Sequence, residues 1–152
     1  NDSGFAMALH EVILPAVQAF HPQAIVLQCG ADAVTEDPLS RLCLSNNAHW
    51  EAAALLRPLA PRLLTLGGGG YNPWTVGRLW SGVWATLNTY EIPDRLPEPA
   101  RAILAALSWT RRPALPDDSL IDTLRDAPRP GPIADDLRTA VQHLRARRST
   151  WV

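Results

Sequence analysis

A chain of 152 residues is long enough for one domain or part of one, and 47% apolar residues can bury a core. The net charge of -1 offers no bulk attraction for nucleic acid or an anionic membrane, and all 14 cationic residues are arginine, because lysine is absent. Cys29 and Cys43 lack CxxC spacing, which argues against a disulfide framework and predicts two free thiols in a reducing cytoplasm. No apolar run approaches the roughly 18 residues of a membrane span, and no basic-then-apolar segment opens the chain.

In residues 4–20, Phe5, Leu9, Val12, Ile13, Ala16, Val17 and Phe20 recur at helical spacing, which predicts an amphipathic helix interrupted or kinked at Pro15. His10 and His21 have no partner at metal-ligand spacing and read as surface or capping groups. The apolar run 24–27 then predicts a strand buried on both faces of a parallel sheet. It ends in Gln28-Cys29-Gly30-Ala31-Asp32. A carboxylate just past a buried strand lies at the crevice beyond the sheet, where it can bind a cation, act as a base or cap a turn. Asp32 is therefore a candidate, whereas Asp37, followed by Pro38, reads as a turn residue. Leu39, Leu42 and Leu44 anchor a loop. Asn47 is placed as the cap of a helix through Trp50, Leu55 and Leu56, ending near Pro58 or Pro61. His49 falls in its first turn, within reach of a neighbouring loop by hydrogen bond.

Residues 62–66 form the next predicted strand, so the order strand, helix, strand is a right-handed crossover unit with two parallel strands. Four glycines, Gly67 to Gly70, follow at once, and then Tyr71-Asn72-Pro73. Four in a row cost backbone entropy that a turn does not require, so they point to close approach of a backbone, a side chain or a ligand. Asn72 caps and Pro73 opens a helix whose face of Val76, Leu79, Trp80, Val83, Trp84 and Leu87 is expected in the core. Tyr71 then sits at a strand-to-helix mouth on the same sheet edge as Asp32. From Glu91 the composition changes, with eight prolines between Pro93 and Pro132. This predicts an irregular tail hugging the surface, with a short helix near residues 100–107 and a last amphipathic helix carrying Leu137, Val141 and Leu144.

Several segments together resemble the C-terminal third of the histone deacetylase superfamily. They are Val26-Leu27-Gln28-Cys29-Gly30-Ala31-Asp32 with Asp37-Pro38-Leu39, Ala48-His49, the run from Leu66 to Tyr71, Arg78-Leu79-Trp80, and Glu91-Ile92-Pro93 with Leu96-Pro97. The order and spacing match over about residues 5–100. Within the superfamily the chain is most similar to the bacterial acetoin utilisation proteins, relatives of acetylpolyamine amidohydrolases. The resemblance implies an α/β fold, part of a three-layer αβα domain built on a parallel sheet, over residues 1–108; residues 109–152, read as a Pro-rich tail and terminal helix, resemble nothing in the family after about residue 110. It also implies hydrolysis of the acetyl amide of an acetylated amine, either acetyl-lysine or an acetylpolyamine, with Asp32 as a ligand of Zn2+, or of Fe2+. Tyr71 is then the catalytic donor to the acetyl carbonyl, and Leu39, Gly69 and Gly70 line the substrate tunnel. No nucleic acid or membrane partner is implied, and oligomeric state is left open.

The sequence departs from the family in one respect. The family needs an Asp-x-His ligand pair and a His-His base pair upstream, and neither occurs here. The chain, which starts at Asn1 with its one Met at position 7, therefore reads as a C-terminal fragment of a deacetylase, inactive alone. The alternative is a non-catalytic α/β remnant or interaction module that keeps only the packing motifs.

Overall fold

The computed structural model describes residues 1–111 and 116–151. It opens with a continuous helical run: α1 (Asp2–Ala8), a π-helical stretch (Leu9–Ile13) and α2 (Leu14–Phe20). Pro15 was expected to interrupt or kink this run. The α-helical ladder is indeed interrupted, by the widened turn just before Pro15, where the missing Pro N–H and the bulk of its ring disturb the regular pattern. His21, at φ 49, closes α2 by donating its N–H to the Val17 carbonyl at 3.2 Å. By length and composition alone Asp2–Phe20, 19 residues of mean hydropathy 1.2, suffices to cross a membrane, contrary to the expectation that no segment would. In this fold the run carries Asp2, His10 and Glu11 and packs on other helices, with Leu9 fully buried.

β1 (Ile25–Gln28) and β2 (Leu63–Leu66) pair in parallel, in register from Ile25 opposite Leu63 to Gln28 opposite Leu66. α3 (Asn46–Leu56) makes the crossover and α4 (Pro73–Leu87) follows β2. This is the expected α/β arrangement, with α3 and α4 in close contact. Trp50 donates its indole N–H to the Leu79 carbonyl at 3.0 Å, and a Cβ at Gly82 would run into the Trp50 ring, so that glycine sets how closely the two helices cross. Cys29, Ala31, Val34, Trp50, Ala53, Leu79 and Val83 form one core cluster; Leu9, Ala52 and Leu56 form a second. Leu27 packs on both.

Three expectations need correction. The strands are not buried on both faces: Ile25, Leu27 and Leu63 are partly covered, whereas Val26, Leu64 and Leu66 are exposed. Trp80 and Trp84, expected in the core, are also exposed; Trp80 instead braces the end of β1, donating to the Cys29 carbonyl at 2.7 Å. Finally, α3 starts one residue before Asn47, with Ser45 in the cap position.

The tail beyond Glu91 contains α5 (Glu98–Ala106), α6 (Ser119–Asp122) and α7 (Asp135–Ala146). Its irregular stretch enters the interior. Asp126 accepts from the Arg78 guanidinium at 2.7 Å and from the Asn46 backbone N–H at 2.8 Å, which satisfies a free donor at the start of α3. Arg78 also donates to the Thr123 carbonyl at 2.7 Å, and its side chain is 2% exposed. Arg78→Ala would leave the Asp126 carboxylate buried without its cation, and should lower stability by about 3–5 kcal/mol. The check is the urea midpoint of the variant against the parent chain, with an unchanged slope showing that the loss is in stability.

Candidate active site

Asp32 and Tyr71 leave the same end of the sheet, because parallel strands finish at one edge. The ladder continues past both strands. Cys29 N–H donates to the Leu66 carbonyl at 2.9 Å, and Ala31 N–H to the Gly69 carbonyl at 2.6 Å. This contact explains two of the glycines. A Cβ on Gly69 would overlap the Asp32 carboxylate, and Gly70, at φ 146, would bring one within 2.7 Å of Val76 Cγ2 and 2.9 Å of Ala31 Cβ. The glycines are thus required by the chain's own groups, at a φ that side-chain-bearing residues avoid in the case of Gly70.

Asp32 lies in a single 3-10 turn, Ala31–Ala33, whose cap is Gly30. Among the described residues no hydrogen bond reaches either Asp32 oxygen, and Asp32 caps no turn. The Tyr71 side chain is exposed and its hydroxyl likewise has no hydrogen-bond partner among the described residues. Leu39 is exposed on the loop that follows Asp32.

Asp37 does more than turn the chain. It is buried, accepts from Leu39 N–H at 2.9 Å as the expected turn residue, and with its other oxygen accepts from Tyr71 N–H at 2.6 Å. The carboxylate therefore fixes the backbone at Tyr71 from the loop that carries Asp32. Asp-Pro announces the turn in the sequence; nothing announces a partner 34 residues away. Asn72 locks the same junction, capping α4 through Trp74 N–H at 3.0 Å and donating to the Glu36 carbonyl at 2.9 Å.

His49 reaches a neighbouring loop as its position suggested, with Nε2 3.0 Å from the Gly30 carbonyl. A carbonyl only accepts, so Nε2 carries the proton and the neutral ring's Nδ1 is an acceptor; it is buried with no partner among the described residues. Burial pushes the imidazole pKa below its ordinary value, outweighing the opposite pulls of the Gly30 carbonyl and the Asp32 charge. Burial also raises the pKa of the Cys29 thiol. Asp32, His49 and Gln28 form the polar part of a cavity of about 470 Å³ whose other walls include Phe5, Leu9 and Leu44.

A catalytic metal site takes about three protein ligands. Among the described residues no group of three His, Cys, Asp or Glu side chains is arranged to hold a metal. Asp32 can supply one carboxylate, and the residues present do not by themselves fit a complete site.

The family profile described as histone deacetylase domain matches residues 1–87. The chain belongs to the histone deacetylase family. It is 37% identical over 98 residues to histone deacetylase 9 of Arabidopsis thaliana, covering 64% of this chain and 23% of that one. For histone deacetylase 19 of the same plant the identity is 34% over 98 residues, 64% of this chain and 20% of that one. Among solved structures, an HDAC homologue from Aquifex aeolicus overlays 95% of this chain and 39% of its own, at 29% identity and a TM-score of 0.83. An HDAC homologue complexed with SAHA overlays the same shares at 25% identity and a TM-score of 0.77. The chain thus spans only about a fifth of the curated relatives it matches. Both overlays take in most of the Pro-rich tail, which resembled nothing as a sequence.

The depressed His49 pKa makes stability depend on pH in a defined sense. Unfolded, His49 takes a proton near 6.5, while the folded ring resists it to lower pH. Between the two values the unfolded state binds more protons. The contribution is therefore intact above about 6.5 and is lost as pH falls toward the folded value. His49→Gln, which keeps an N–H donor but cannot titrate there, should lose less stability than the parent between pH 8 and pH 5 in parallel urea titrations. Equal losses would show that His49 titrates alike in both states.

Proposed function

We propose that this chain is the C-terminal part of a metal-dependent deacetylase that hydrolyses the acetyl amide of an acetylated amine. The observation that carries the reading is a carboxylate and a phenol, neither with a hydrogen-bond partner among the described residues, on two loops held together at one sheet edge. In the complete enzyme Asp32 is one carboxylate ligand of the metal, Zn2+ or alternatively Fe2+, and the other ligands come from outside these 152 residues. Asp and His ligands suit either ion.

Tyr71 acts on the substrate. Its O–H donates to the acetyl carbonyl oxygen, and the bond strengthens as that oxygen becomes an oxyanion during attack on the amide. Asp37 and Asn72 prevent the Tyr71 backbone from drifting, so the donor is pre-oriented rather than recruited. Leu39, exposed on the Asp32 loop, and the bare Gly69–Gly70 backbone form walls for the acylated stem. The substrate is acetyl-lysine or an acetylpolyamine, in keeping with likeness to the bacterial acetoin utilisation branch, and two free cysteines suit a cytoplasmic setting.

Alone, the chain is inactive on this reading. After dialysis it should retain no stoichiometric zinc by elemental analysis and should release no acetate from an acetyl-lysine peptide; one tightly held zinc, lost in Asp32→Ala, would show an unrecognised ligand set. In the complete enzyme, Asp32→Ala should lose metal and activity together. Tyr71→Phe should keep metal and lower kcat by about 10² to 10³, with KM moving much less. Near-normal kcat in Tyr71→Phe, with both acetyl-lysine peptide and acetylpolyamine, would make the phenol a packing residue.

A further inference from the structure

Trp84 and Tyr90, 61% and 57% exposed, stand against each other outside both core clusters, with ring centroids 5.1 Å apart and planes tilted by 44°. The turn after α4 imposes this pairing. Thr89 sits at φ 58, a conformation that β-branched residues avoid, and so sends the chain straight back toward the helix. The Asn88 side chain braces the turn by donating to the Trp84 carbonyl at 2.8 Å, and Tyr90 N–H donates to the Ala85 carbonyl at 2.9 Å. Two large rings are thus held at the surface by backbone geometry rather than by burial.

Both rings line a cavity of about 550 Å³. Trp80, Ile92 and Leu124 give it an apolar surface that is fixed from behind, since Ile92 and Leu124 pack on the larger core cluster and Trp80 donates its N–H to the Cys29 carbonyl. Glu91 is the one charged residue of the lining. Among the described residues its carboxylate enters no ion pair or hydrogen bond, and Arg95 is drawn instead to Asp122 at 3.5 Å.

We propose that this cavity binds a methylated ammonium, the trimethylammonium group of a soluble small molecule. Ring faces attract a cation through their quadrupole, and Glu91 supplies the countercharge. The choice among cations follows from their donors. A primary ammonium brings three N–H groups and a guanidinium five, and a single carboxylate beside apolar side chains leaves most of them unmet. A trimethylammonium brings none, and its methyls suit the surface of Trp80, Ile92 and Leu124. A neutral apolar ligand would use that surface and leave the carboxylate idle. Trp84 lies roughly 16 Å further along α4 than Pro73, where the helix leaves the Asp32–Tyr71 edge, so binding here is independent of the catalytic reading.

The test titrates the 152-residue chain with a matched series, read by ligand proton NMR: choline, ethanolamine, which lacks the methyls, and the tert-butyl analogue of choline, which keeps the shape without the charge. Choline should occupy one site per chain, and each analogue should bind at least about 10-fold more weakly. Trp84→Leu and Tyr90→Leu should each weaken choline about 3- to 30-fold, the range of one cation–aromatic contact. Both should keep the parent's urea midpoint, because the replaced rings are exposed. Glu91→Gln should weaken choline about 3-fold or more and remove most of its dependence on sodium chloride. If Trp84→Leu unfolds, Tyr90→Leu and Glu91→Gln decide. The site is overturned by no saturable choline binding, by either analogue binding as tightly as choline, or by choline affinity unchanged in Tyr90→Leu and Glu91→Gln. A proline-rich peptide that bound more tightly than choline would overturn it too, since aromatic grooves also take polyproline.

Discussion

The hydrogen bond from Ala31 N–H to the Gly69 carbonyl is the contact on which the site depends. At 2.6 Å it brings two loops from different strands closer than side chains allow, so one loop must be bare backbone. Gly69 yields its side-chain space to the Asp32 carboxylate, and Gly70 yields its own to Ala31 and Val76. The four-glycine run is therefore the steric complement of Gly30-Ala31-Asp32. Rigidity comes from what surrounds it. His49 holds the Gly30 carbonyl from α3, Asp37 holds Tyr71 N–H, and Trp80 holds the Cys29 carbonyl from α4. Each bond reaches a backbone group at a strand end, where the regular ladder no longer satisfies it.

A second constraint ties the tail to this frame. The Arg78–Asp126 pair is buried, and such pairs tolerate desolvation only when the remaining donors and acceptors are also used. Here they are. Asp126 N–H donates to the Asn46 side chain, whose amide donates to the Leu124 carbonyl, while Arg78 takes the Thr123 carbonyl. Residues 123–126 thereby become a strap over the start of α3, the helix that carries His49. The many prolines of the tail are compatible with this role, because the strap is recognised through its carbonyls and one carboxylate and needs no regular ladder.

What the sequence makes legible follows from range. The crossover unit, the glycine loop, and the Asn72-Pro73 helix start depend on neighbours within a few residues, and the structure has them. So does the turn at Asp37. Its clamp on Tyr71, and the use of Arg78 by Asp126, join residues 34 and 48 positions apart and leave no local signature. The misjudged burial of Val26, Leu64, Trp80 and Trp84 has a different origin. Apolar periodicity states which residues want cover, not whether the same chain provides it. For Val26 and Leu64 the pattern of a strand buried on both faces is present, and in this chain one face stays open.

Asp32 stands apart from three other covered aspartates. Asp2 accepts from the Ser45 backbone and hydroxyl and from Arg129 N–H; Asp37 accepts from Leu39 and Tyr71; Asp126 accepts from Asn46 and Arg78. Each satisfies backbone donors that the fold would otherwise strand, which is the ordinary structural use of an aspartate in irregular chain. Asp32 sits among these groups, packed against Gly69 and within the electrostatic reach of His49, yet among the described residues it accepts nothing. A covered carboxylate used for structure would be expected to answer a donor, as Asp2, Asp37 and Asp126 do. One held in place by steric fit, at the sheet edge that also carries the Tyr71 phenol, is suited to a partner from outside the described residues.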